Sequence, residues 1–81
     1  MNKQEMINIL MEDRYSKKEA ENRLKIGVII YEDLKNFLDD ANQFKEDDEE
    51  LITIEDVRAG HVMDMSAVTH NGIEYYIMYI N

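Results

Sequence analysis

The chain has 81 residues, with 18 acids against 9 lysines and arginines, for a net charge of −9. This length suits one small domain, which buries only about 60% of the surface its unfolded chain exposes. It contains no cysteine and no proline, which excludes disulfide staples and cysteine zinc sites. Its longest apolar run, Ile26–Tyr31, is far short of the ~20 residues that span a bilayer, and the N-terminus lacks a secretory signal layout. Together these features indicate a cytoplasmic protein with no membrane association, built as a single domain over 1–81.

The charge is unevenly placed. Residues 1–25 hold six bases and five acids, whereas 26–81 hold thirteen acids and three bases. Eleven of the acids fall between Glu32 and Asp56. A body of this sign repels nucleic acid and anionic lipid, so direct DNA or RNA binding is not expected. Its natural partners are basic proteins, including those whose grooves hold nucleic acid. The plainer reading is that the acidity only keeps a small protein in solution.

Taken in order, the elements predict an α+β fold with N-terminal helices. Met6, Ile7, Leu10 and Met11 mark one face of a first helix, 3–13. Ser16-Lys17-Lys18-Glu19 is a capping box that opens a second. Ala20, Leu24, Gly27, Tyr31, Leu34, Leu38 and Ala41 then recur in a 4-3 rhythm, which predicts one long amphipathic helix over 17–43. Gly27 and the β-branched residues Val28-Ile29-Ile30 are its weak point. A break there would leave three helices. An unbroken helix of this length spans about 40 Å, too long for a compact domain of this size, so it would protrude, bend or pack on a second copy. Residues 45–50 form an acidic linker, and Thr53-Ile54-Glu55-Asp56 with Gly60 outlines a short helical turn near 54–59. A short strand over Leu51–Ile54 is the rival reading.

Asn71-Gly72, between the β-rich runs 62–70 and 73–80, predicts a hairpin with a two-residue type I′ turn. That turn sets Val68 opposite Tyr75, Ala67 opposite Tyr76, Ser66 opposite Ile77 and Met65 opposite Met78. Both hairpin faces are then largely apolar, whereas a hairpin with one solvated face alternates polar and apolar residues. Helices 3–13 and 17–43 cover one face; the other must meet a helix again, a second subunit or a partner. Tyr75, Tyr76 and Tyr79 on this hairpin are candidate partner or dimer-interface residues, because tyrosine buries area while keeping its hydroxyl wet.

The residues for catalysis are missing from any recognisable pattern, and the chain reads as a non-enzyme. Ser16 is a cap, Ser66 lies in a strand, and neither His61 nor His70 has a spacing that ties it to a nucleophile. No glycine falls in the acidic stretch to form a calcium loop, so no metal site and no cofactor is expected. The acids are better read as a surface. In a helix 17–43, Glu32, Asp39 and Glu46 make one row, with Asp33, Asp40 and Asp47 the next. Six charges over about 22 Å approach the spacing of one DNA strand, about 3.4 Å per phosphate. With Asp48, Glu49 and Glu50 they form a candidate partner-binding face.

The segment Asp64–Ile77, with Asp64, Ser66, Val68, Asn71, Gly72, Tyr75, Tyr76 and Ile77 at the matching positions, resembles a hairpin in type II-A anti-CRISPR proteins of Firmicutes phages. The small size, the acidity and the Lys/Glu/Asn/Ile-rich vocabulary are also those of a small phage gene. The resemblance implies an inhibitor that occupies the surface where a CRISPR effector nuclease reads DNA, with the exposed acids as binding residues by type. The alternative is a structural or regulatory homodimer whose acidity is only solubilising, drawn from the 4-3 seam, the over-long helix and the two-sided hairpin.

Overall fold

The computed structural model describes residues 1–80. The Asn2 side chain accepts from the Glu5 amide and opens α1, Lys3–Asp13. Ser16 and Glu19 close the expected capping box at the start of α2, Lys17–Ile26, and hold the Glu19 carboxyl below its ordinary range through hydrogen bonds to Ser16. β1 (Val28–Tyr31), α3 (Leu34–Ala41), α4 (Ile54–Arg58), β2 (Met65–His70) and β3 (Ile73–Tyr79) follow, so the chain is α+β as its sequence predicts. A second capping box, Thr53 with Asp56, starts α4. The chain then leaves that helix through Gly60 at φ 78°.

The predicted helix 17–43 does not form as one element, nor does it break into helices alone. Gly27, at φ 140°, takes the chain out of α2. Its N–H donates to the Arg23 carbonyl at 2.8 Å and its carbonyl accepts from Ile80 N–H at 3.0 Å. The helix end and the first rung of a sheet therefore share one residue. Val28, Ile29 and Ile30 follow as a strand, where their branched side chains lose less χ1 freedom than in a helix. Asp33 then caps α3 by accepting from the Lys35 amide at 3.0 Å. The 4-3 rhythm is real but serves two separate cores. Leu24 packs with Ala20 in one, while Leu34, Leu38 and Ala41 pack around Phe37 in the other.

The sheet is antiparallel throughout, in the order β1-β3-β2. The β2–β3 register is the one that the Asn71-Gly72 turn dictates, and both residues take positive φ, 54° and 78°. β2 begins at Met65 rather than Val62, because Met65 N–H turns back onto the Val62 carbonyl. β1 pairs with the far edge of β3, Val28 with Tyr79 and Tyr31 with Tyr76.

Both sheet faces are covered by the chain itself. On one, Val68, Tyr75, Ile77 and Tyr79 lie with Ile7, Ile9, Leu10 and Ala20 of α1 and α2. On the other, Met65 and Tyr76 lie with Phe37 of α3 and Val57 of α4. Phe37 meets Tyr31 edge-on at 5.4 Å and stacks on Tyr76 at 5.5 Å. Phe37 and Ile77 are fully buried, which contributes about 1.5–3 kcal/mol for each side chain.

A Cβ on Gly27 would lie 3.2 Å from Ile80 Cβ, on a backbone that side chains rarely adopt. Gly27→Ala is expected to destabilise the fold by about 1–3 kcal/mol in urea unfolding, well above the usual effect of a surface substitution.

Candidate functional site

The nine acids of the predicted binding face are all exposed, but they do not lie in helical rows. β1 displaces the register, and they divide among a turn, α3 and a loop. Glu32 and Asp33 occupy the β1–α3 turn. On α3, Asp39 pairs with Lys35 at 3.1 Å. Asp40 accepts from the Tyr31 hydroxyl at 2.7 Å. Partial burial, with this hydrogen bond, pushes the Tyr31 hydroxyl up to about 12. Glu46, Asp47, Asp48, Glu49 and Glu50 follow in the loop between α3 and α4.

That loop is anchored at its base by one side chain. Asn42 donates through Nδ2 to the carbonyls of Leu38 and Ile52, at 3.0 and 3.1 Å, and accepts at Oδ1 from Ile52 N–H at 2.7 Å. Ends ten residues apart are thus held together, in the manner of a compact Ω-loop. Inside it, Glu49 N–H donates to the Glu46 carbonyl at 3.0 Å, and Lys45 lies 3.6 Å from Glu49. The segment 45–50 is therefore part of a folded loop rather than a bare linker. Two apolar side chains stand out around it, Phe44 at 88% exposed and Leu51 at 62%. Beside the loop base, Leu38, Leu51, Ile52 and Ile54 floor a shallow groove of about 680 Å³, to which Asp39 and Glu55 add carboxylates.

Charge is segregated across the sheet. Glu32–Asp64 holds twelve acids and three bases. It supplies the layer of α3, the loop and α4 that covers one face. Residues 1–31 hold five acids and six bases, and α1 and α2 cover the opposite face. The molecule thus carries a strongly negative side and a nearly neutral side.

The hairpin tyrosines lie elsewhere than an interface. Tyr75, Tyr76 and Tyr79 are all buried. Tyr79 donates to Asp13 at 2.6 Å, packs edge-on against Tyr15, and lies beneath the Arg23 guanidinium. Burial, reinforced by Asp13, drives its hydroxyl far above the usual tyrosine range. Tyr76 donates to Glu74 at 3.0 Å. These side chains fasten the sheet to its covering layers. The three features that suggested a second copy, the 4-3 seam, the over-long helix and the two-sided apolar hairpin, are accounted for within one chain.

A smaller cleft of about 410 Å³ lies between the C-terminal end of α1, α4 and β2, with Asp13, Arg14 and Arg58 on its walls. Two of these three ionic groups already have hydrogen-bonded partners. Asp13 receives the Tyr79 hydroxyl, and Arg58 makes a two-pronged contact with Glu74, with Nε at 2.9 Å. The Glu74 carboxyl is held below its ordinary range by Arg58. Ser16 acts as a cap, His61 is exposed, and His70 lies 3.6 Å from Glu12 without a nearby nucleophile. Among the described residues, no group of three or more acids and histidines is placed to hold a metal ion. None of their helices is long and apolar enough to cross a membrane.

Comparison with known proteins finds no matching family model, no matching curated protein and no matching solved structure. The candidate site therefore rests on its own geometry: an acidic face centred on a tied loop, with Phe44 and Leu51 as apolar projections. Sequence reasoning missed the Asn42 anchor and the exposure of Phe44, whose seven-residue spacing from Phe37 reads as core on a continuous helix.

Asn42→Ala leaves the half-buried Ile52 N–H without its acceptor and frees the loop. A loss of about 1–3 kcal/mol is expected, with accelerated proteolysis within 43–51. Limited proteolysis followed by mass mapping checks both the site and the rate.

Proposed function

We propose that this protein is a non-catalytic inhibitor that binds a basic nucleic-acid-binding protein in a bacterial cytoplasm. In the form that the anti-CRISPR resemblance suggests, it is a phage or mobile-element product directed at a CRISPR effector nuclease. The observation that carries this reading is the one-sided charge. A face with twelve acids and three bases, opposite a nearly neutral one, orients the molecule as it approaches a positive groove. Such steering raises association rates and weakens with salt. Nucleic acid itself is repelled, so the partner is a protein.

The acids substitute for phosphates as a patch, not as helical rows. α3, about 12 Å long, carries only Asp39 and Asp40; the other acids flank it. Phe44 and Leu51 supply what charge alone lacks, since interface energy concentrates in a few apolar anchors ringed by polar groups. The anchored loop presents both at its rim, with little entropy left to lose on binding.

Inhibition of DNA binding by a type II-A effector nuclease tests this reading. Replacing Asp39, Asp40, Asp47 and Asp48 together by asparagine is expected to weaken inhibition at least ~10-fold and flatten its salt dependence. Phe44→Ala is expected to weaken it by a similar factor without changing the salt slope. Full inhibition by the four-asparagine variant would show that the acids are not the binding face.

A further inference from the structure

The two edges of the sheet are not alike. Asp64 accepts from Tyr79 N–H across the β2 ladder. By the antiparallel alternation, positions 66, 68 and 70 of β2 face β3 while 65, 67 and 69 face outward. On that edge the Met65 N–H is already taken by the Val62 carbonyl. On the other side, Gly27 accepts from Ile80 N–H. Positions 27, 29 and 31 therefore face β3, and the N–H and carbonyl groups of Val28 and Ile30 point away from the sheet.

β1 is a short edge strand of four residues with α3 packed against it, but it lacks the charge, proline and bulge that commonly blunt such edges. None of its residues, Val28-Ile29-Ile30-Tyr31, is fully buried. Around it, Ile26, Ile29 and Ile80 are exposed by 49, 41 and 43%. Ile29 and Ile80 lie on the same sheet face, and Ile80 packs beside Gly27. The chain charges change sign along this edge, with Lys25 before the strand and Glu32 and Asp33 after it.

We propose that the outer edge of β1 pairs antiparallel with the β1 edge of a second copy, about a two-fold axis at Ile29, to give a six-stranded sheet. The edge is complementary to itself in three ways. Antiparallel pairing about Ile29 sets Val28 against Ile30 of the partner copy and Ile30 against Val28 of the partner copy. The outward N–H and carbonyl groups of both strands are then all satisfied. It places the two Ile29 side chains together on one face, where they cover the exposed isoleucines of both edges. It also brings the Lys25 end of each copy to the Glu32-Asp33 end of the other. A parallel or shifted pairing meets at most one of these conditions. This inference is independent of the inhibitor reading.

The absence of cysteine makes single-cysteine trapping a clean test. Facing residues in a non-hydrogen-bonded antiparallel pair have Cα atoms about 4.5 Å apart, within disulfide range. Under mild oxidation, Ile29→Cys is expected to form a covalent dimer at least ~10-fold faster than Met63→Cys, although Met63 is 93% exposed. The natural chain should show twice its monomer mass by light scattering at submillimolar concentration. Lys25→Glu should weaken the dimer, and adding Glu32→Lys should restore it. A monomeric natural chain, equal trapping of the two cysteines, or a charge reversal without effect would each overturn the proposal. Capture of a foreign extended peptide at β1 by a chain that stays monomeric would do so as well. Both charge variants alter exposed side chains, and unchanged circular dichroism shows that each still folds.

Discussion

The antiparallel pairing of Val28–Tyr31 with Tyr76–Tyr79 decides how the rest of the chain is arranged. Without it the hairpin is a two-stranded ribbon, marginal in water, with Ile80 and the outward amides of β3 unpaired. With it, β3 becomes a central strand bonded on both sides, and the chain is divided at Gly27 into a part that covers one sheet face and a part that covers the other. A domain this small cannot bury much per residue. It gains by using both faces of β3, whose Tyr75, Tyr76, Ile77 and Tyr79 are all buried. The cost is concentrated in Gly27, which has to end a helix, adopt a positive φ and start a ladder in one residue.

The same division sorts the charge. Because the segment after β1 crosses to the far face, the acids from Glu32 onward are collected there. The ion pairs within the acidic layer, Lys35 with Asp39 and Lys45 with Glu49, are i,i+4 contacts at the surface, and pairs of this kind contribute little to stability. The cluster of like charge is a burden that folding alone does not require. That imbalance lies beside a solvent-facing Phe44 at the start of a loop fastened by Asn42, and these are the features on which the proposed inhibitor role rests.

Much of the fold was legible in the sequence, for identifiable reasons. Ser16-Glu19, Thr53-Asp56 and Asn71-Gly72 each satisfy specific backbone groups, so they fixed two helix starts and a register without tertiary context. The region 27–43 was misread because its apolar spacing fits a helix whether or not the helix is continuous. Val28-Ile29-Ile30 carried the contrary signal in their branching, but a four-residue strand declares itself only when a partner edge is at hand. That edge lies about fifty residues away, on β3. The acids of the candidate site were identified by type, and all nine are exposed. Their arrangement followed the misread helix. Tyr75, Tyr76 and Tyr79 were ambiguous from sequence because a two-sided apolar hairpin suits a core and an interface equally; α1 and α2 cover Tyr75 and Tyr79, while Tyr76 is covered by α3, which the continuous helix concealed, together with α4.

Amide hydrogen exchange along β3 tests the central role of the β1–β3 pairing most directly. In a three-stranded sheet, Tyr75, Ile77 and Tyr79 bond to β2 while Tyr76, Met78 and Ile80 bond to β1. Every amide from Tyr75 to Ile80 is therefore expected to exchange slowly. Alternating protection, with Tyr76, Met78 and Ile80 exchanging fast beside slow neighbours, would contradict the account and restore the continuous helix over 17–43.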